Sequence, residues 1–455
     1  MYAKNIWLDA DENKKKDIFA FAKDYIHFLN YGKTERMAVK ETKEIALKAG
    51  FKPLESYSTL KAGDKVFAIN RNKNILLAVI GKKSIEDGCR ILGAHIDSPR
   101  LDIKQNPLFE KEGFAMMETH YYGGIKKYQY TTIPLSLHGV VYKKDGTCID
   151  IDIGDEDDDP VIGIPDLLIH LSAEQMTKPA AKVVEGENLD IIVGNIPDKE
   201  AKSHTFKQNI LNLLKEKYGF EEEDFLSAEL VALPAFKAKD FGLDRSMISG
   251  YGHDDKVCAY TSLRAVLEAK NPEFTSVCVL VDKEEVGSIG ATGAQSDWFE
   301  NTIAEMLYLE TGKDSHLAIK HAMSNSMMLS SDVSCGVDPI YSSATENKNA
   351  CYLGKGIVFN KYTGARGKSG CNDAMPEFVA FVRNAMDKNN LHYQTSEIGK
   401  VDQGGGGTIA YILGNYNMYV LDAGVPVLSM HSPMEIVSKA DVYEAYLAYV
   451  AFLNA

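Results

Sequence analysis

Apolar positions recur every three or four residues near the start of the chain. Ile18, Phe21, Tyr25 and Phe28 fall on one helical face, and 37–49 predicts a second helix stopped by Gly50. Short apolar runs at 65–68, 75–80 and 90–95 then predict strands. After Pro99 the texture changes: β-like runs at 131–137, 140–142, 148–153 and 190–193 are split by Gly, Pro and acidic turns. One helical segment, 205–218, interrupts them. From about 235 the rhythm becomes strand then helix. Val257, Tyr260, Leu263 and Leu267 share a face, and 277–281 and 425–430 read as buried strands. Val442, Tyr446, Val450 and Leu453 mark a closing helix, for which Ser438 and Asp441 are the expected capping pair. Alternating strands and helices predict an α/β fold, a mixed and mostly parallel sheet sandwiched by helices. The expected domains are 1–99 and 235–455, forming one unit from both chain ends, and an inserted β-rich domain at 100–234.

Composition narrows the partners. Fifty basic against sixty-four acidic residues give a net charge of −14, which opposes nucleic acid and an anionic membrane surface alike. No run approaches the roughly 20 apolar residues of a membrane helix. Seven cysteines stand singly, with no C-x-x-C pair, as expected of free thiols in a cytoplasmic protein. Seven acidic residues crowd 150–159, a pattern that reads as a solvated loop. Gly364–Ser369 lacks the G-x-x-x-x-G-K-[ST] spacing of a phosphate loop.

Chemistry concentrates just after apolar strands. His95 and Asp97 follow 91–92, Asp254 opens the helix that runs to Leu267, and Glu284-Glu285 follow 278–281. Asp332 and His431 likewise trail apolar runs. Strand ends of an open α/β sheet meet in one crevice, so ligands remote in sequence are expected to converge there. Imidazole and carboxylate donors suit zinc, with cobalt or manganese as competitors. Two histidines and three carboxylates exceed what one catalytic zinc uses and fit two divalent ions sharing a carboxylate. In an extended segment Glu284 and Glu285 would diverge; in a loop both can face the crevice, one as ligand and one as proton acceptor.

The ordered set His95-Ile-Asp97-Ser-Pro, Asp254, Glu284-Glu285-Val-Gly-Ser, Ser-Asp332 and Met-His431-Ser resembles the aspartyl aminopeptidase family of di-zinc peptidases over nearly the whole chain. Tyr122-Gly-Gly-Ile and Ile169-His170-Leu171 extend the likeness into the inserted segment. The resemblance implies a zinc-peptidase fold, an inserted dimerisation domain, a homo-oligomer (a closed dodecamer built from dimers) and short peptide substrates. It implies His95 on one metal, His431 on the other, Asp254 between them, and Glu285 and Asp332 completing one site each. Glu284 would be the general base, Asp97 would orient His95, and the Asp254–Asp255 peptide would be cis. His170 would reach a neighbouring subunit's site and help stabilise the oxyanion. The run Gly404–Gly407 reads as a flexible linker or as a tight loop that approaches the substrate; the resemblance favours the loop, with Gly406 and Gly407 in it. Members selective for acidic N-terminal residues carry a lysine shortly after a Lys-Gly segment; here Phe359 or Asn360 falls near that position, with Lys361 just beyond, so acidic and neutral preference both stay open. Two other readings compete: a di-metal deacylase or carboxypeptidase on small N-acyl amino acids, and a non-catalytic scaffold.

Overall fold

The computed structural model describes residues 4–455. Its described residues divide into two compact units: residues 4–97, 238–430 and 434–455 form the first, and residues 98–237 with 431–433 form the second.

The first unit is built on a nine-stranded mixed sheet, in which parallel pairings outnumber antiparallel ones. At its centre Thr275–Val281, Cys89–His95, Met327–Ser330 and Tyr419–Gly424 lie side by side, all parallel. Cys89–His95 and Thr275–Val281 are buried from end to end, as strands covered on both faces must be. One layer of helices includes Glu12–Tyr31, Glu35–Lys48, His253–Leu267 and Lys439–Leu453, whose apolar residues share a core with one sheet face. The other face shares a second core with Trp298–Thr311 and His316–Ser324. A five-stranded sheet completes the unit.

The second unit is a six-stranded antiparallel sheet with the helix Thr205–Tyr218. Its longest pairing, Arg100–Lys111 with Phe114–Tyr122, is a hairpin that the alternation of residues did not reveal. The expected strands at 131–137 and 140–142 are one strand, Leu135–Tyr142, because His138 and Gly139 between them also pair with both neighbouring strands. The expected strand at 425–430 is shorter than its apolar run, and a separate strand precedes it. Tyr419–Gly424 joins the large sheet, and Pro426–Leu428 joins the five-stranded one.

The expected cap of the last helix is also corrected. Ser438 occupies the N-cap without a side-chain capping bond. Asp441 turns away to accept the main-chain N–H groups of Gly354 (2.6 Å) and Gly356 (2.7 Å), a tertiary tie that displaces the local one.

Candidate metal centre

Three of the four central parallel strands deliver polar residues to one end of the sheet. Cys89–His95 ends on His95, with Asp97 two residues on. Thr275–Val281 leads through Asp282 into a single 3-10 turn, Glu284–Val286, and Met327–Ser330 leads to Asp332. Asp254 comes from the first turn of His253–Leu267, where the Asp254–Asp255 peptide is cis. Gly252 enters that turn at φ 77°, a left-handed conformation that glycine adopts without strain.

These residues converge. His95, Asp254 and Asp332 each offer a ligand atom within 4.8 Å of the other two, and so do His95, Glu284 and Glu285. The His95 Nε2 lies 3.2 Å from Asp254 Oδ1 and 3.9 Å from Glu284 Oε2. Neighbouring glutamates on a strand would point apart. The tight turn, entered at Lys283 (φ 69°) and left at Gly287 (φ 94°), lets both face His95.

Asp97 braces this arrangement from behind. Its side chain lies 3.3 Å from His95 Nδ1, its own main-chain carbonyl lies 3.1 Å from the same nitrogen, and its carboxylate accepts the N–H groups of Glu284 and Glu285. Two carboxylates that sequence reasoning passed over do similar work. Buried Glu435 accepts the Asp254 N–H at 3.1 Å, and Asp255 accepts the His95 N–H at 3.3 Å. Asp255 was legible as the second half of the Asp-Asp pair; Glu435 lies 181 residues from its partner and left no local signal.

The electrostatics call for a cation. Burial on its own would lower the His95 pKa, yet the hydrogen-bonding carboxylates of Asp254 and Asp97 outweigh it and hold the imidazole well above its usual range. Burial pushes the Asp255 carboxyl well above the usual carboxylate range; His95 opposes that shift and Asp254 adds to it. A pocket of carboxylates around an imidazole, with little water to screen them, favours added positive charge, which divalent ions supply. The donor set of imidazole nitrogen and carboxylate oxygen fits zinc.

The remaining expected residues lie as follows. His431, at φ 65°, sits in the 431–433 segment grouped with the second unit, its Nδ1 2.8 Å from the Gly124 carbonyl oxygen. His170 is exposed in the turn Ile169–Leu171 of the second unit. Asn360 ends the strand Ile357–Asn360, buried, its side-chain amide hydrogen-bonded to the Ser334 hydroxyl. Gly406 and Gly407 have open space where a side chain would stand. The steric need for glycine falls instead on Gly404 and Gly405, where a Cβ would meet Ile398 and Ala365 at 2.4 and 2.5 Å. A further cluster lies in the second unit, where buried His138 sits between Asp152 (3.1 Å) and Asp155 (3.6 Å). The expected loop at 150–159 is a strand up to Ile153, because Cys148–Ile153 pairs with Leu135–Tyr142, and His138 ties Asp155 of the turn that follows back to that pair.

A buried imidazole–carboxylate centre at the strand ends of a mixed sheet defines a metal-dependent hydrolase. Residues 28–453 match the model of the family described as aminopeptidase I zinc metalloprotease (M18). A relative from Clostridium acetobutylicum, named probable M18 family aminopeptidase 1, is 55% identical over 99% of this chain and 98% of its own length. The crystal structure of the M18 aminopeptidase from Thermotoga maritima is 45% identical and superposes with a TM-score of 0.96, covering 100% of this chain and 99% of its own. A more distant structure, titled as the S. cerevisiae mApe1 dodecamer, shares the fold (TM-score 0.75, 21% identity, 95% of each chain). This chain belongs to the M18 family of zinc metalloproteases, and it is an aminopeptidase. No helix among the described residues is long and apolar enough to cross a membrane.

Proposed function

We propose that the chain releases N-terminal residues from short peptides by a two-metal mechanism, with His95 and Asp332 on one ion, His431 and Glu285 on the other, and Asp254 between them. The carrying observation is the convergence of His95 with Asp254 and Asp332, and with the glutamate pair, each set within 4.8 Å. Zinc is the favoured metal, with cobalt and manganese as competitors. When bound, such ions polarise the scissile carbonyl and lower the pKa of a water.

The chain's own residues do the rest. Glu284 takes the proton of the attacking water on its carboxylate and returns it to the departing amine. Asp97 keeps His95 oriented and holds the Glu284–Glu285 turn in place. His170 serves a neighbouring subunit by hydrogen-bonding the developing oxyanion. Asn360, Gly406 and Gly407 line the approach of the N-terminal residue.

The assembly is a homo-oligomer, a dodecamer built from dimers, resident in the cytoplasm. Ile169 and Leu171 beside His170, and Leu168 before them, are more than half exposed, and large apolar side chains clustered on a surface favour burial against another copy. A panel of acidic and neutral aminoacyl p-nitroanilides, with and without zinc or cobalt, tests the reading. Metal-dependent release supports it and ranks the substrates; no release with any metal overturns it.

A further inference from the structure

The turn that carries Glu284 and Glu285 belongs to a longer loop, 282–293, whose base is fastened at several points. Asp282 N–H donates to the Thr292 carbonyl (3.3 Å), and the Thr292 hydroxyl donates to Asp282 Oδ2 (2.6 Å). The hairpin formed by Lys65–Asn70 and Asn74–Val79 reaches this base from another part of the chain. Asn74 donates its side-chain N–H to the same Thr292 carbonyl (2.5 Å), and Asn70 donates to the Ala291 carbonyl (2.7 Å). Between them, Lys73 Nζ lies 2.9 Å from Glu35 Oε1 and 3.7 Å from Asp282 Oδ2. All three charged residues are buried: Lys73 is 8% exposed, Glu35 2% and Asp282 0%.

A lysine kept out of water between two carboxylates is expensive unless its geometry is held closely, and such ion groups serve to fix a unique arrangement. What this one fixes is the root of the Glu284 turn, two residues before the proposed base. The turn itself is pinned at its first two residues by Asp97. The loop is free of helix or strand beyond that single turn, and its Lys283, Gly287, Ser288 and Gly290 all have positive φ. Short-range bonds such as Ser288 N–H to the Lys283 carbonyl (2.7 Å) shape the loop, and the contacts to Asp97 and to the hairpin tie it to the rest of the unit.

We infer that Lys73, gripping Glu35 and Asp282, is a positioning residue that sets where the Glu284 carboxylate stands. The inference rests on the reading of Glu284 as general base. Misplacing a reacting group by about 1 Å can cost about 100-fold in rate, so the signature is a loss of kcat.

The test compares Lys73→Met, Lys73→Arg and Thr292→Val with wild type, each zinc-loaded as the full chain. It records kcat and KM on a leucyl p-nitroanilide, and zinc affinity by chelator competition. The expected result is a kcat lowered about 10- to 100-fold in Lys73→Met and Thr292→Val, with KM within about twofold. Partial recovery is expected in Lys73→Arg, with zinc affinity near wild type throughout. Thr292→Val keeps all three charged residues and removes only the hydroxyl donated to Asp282, so it tests the anchor even if Lys73→Met fails to fold. Folded, zinc-loaded variants that turn over at the wild-type rate overturn the inference. A Glu284→Gln variant run beside them separates the two ideas: if it keeps wild-type kcat, the base assignment fails; if it is inactive while Lys73→Met and Thr292→Val are not, only the positioning role fails.

Discussion

Asp97 Oδ1 accepts the main-chain N–H of Glu284 at 3.1 Å. The other oxygen accepts from Glu285 at 3.2 Å, and the same side chain lies 3.3 Å from His95 Nδ1. One buried aspartate thereby locks the end of one strand to the loop that follows its neighbour, and places an imidazole and two carboxylates in a single frame.

Asp97→Ala is expected to free both the imidazole and the glutamate turn. Groups that orient metal ligands typically contribute 10- to 100-fold in affinity, so zinc should bind about that much more weakly. Chelator competition measures this, and wild-type affinity in the variant contradicts the role.

Asp441→Ala should destabilise the fold without touching the metal centre. It leaves two N–H groups, of Gly354 and Gly356, without their acceptor in the interior. A buried donor left unsatisfied costs about 1–3 kcal/mol, so denaturant unfolding should register a loss of that order or greater. An unchanged midpoint contradicts the tie.

How far the sequence disclosed this fold depends on whether the cause was local. Ser438 and Asp441 have the spacing of a capping pair, but the partners that claim Asp441 lie more than 80 residues away. The hairpin at 100–122 hid behind Pro107 and a polar-rich alternation, because neither face of it reads as uniformly apolar. Tyr419–Gly424 carries no separate signal because its apolar run merges with the next strand at 426. The residues proposed as metal donors are legible for the opposite reason: each follows an apolar strand or opens a helix. Glu435, which accepts the Asp254 N–H, and Lys73, which pairs with Glu35 and Asp282, have no such marker.

The buried thiols predict alkaline sensitivity. Burial pushes Cys89 and Cys351 up to about 12, and raises Cys278 as well. Unfolded thiols ionise near 8.5. Above that pH the unfolded chain loses protons that the folded chain retains, so stability falls as pH rises from about 8.5 towards 12. The slope is about 1.4 kcal/mol per pH unit for each thiol. Replacing Cys89 and Cys351 by alanine should flatten it. Iodoacetamide should modify exposed Cys148 in the native protein and leave Cys89 and Cys351 untouched; an equally steep slope in the variant, or rapid labelling of the buried pair, contradicts this.

His170→Ala should lower kcat by about 100- to 1,000-fold, the usual effect of losing an oxyanion donor, with zinc content and oligomer mass unchanged. Mixed oligomers with a Glu284→Gln chain should regain part of the activity, since each defect lies in a different contribution to the site. Full turnover in the single variant sinks the role.

The two-ion centre is tested most directly by anomalous scattering at the zinc edge from crystals of zinc-replete protein. Two peaks per chain are predicted, both about 2.0–2.2 Å from an Asp254 oxygen, one also bound by His95 and Asp332 and the other by His431 and Glu285. A single peak, or peaks lying away from His95 and His431, contradicts it.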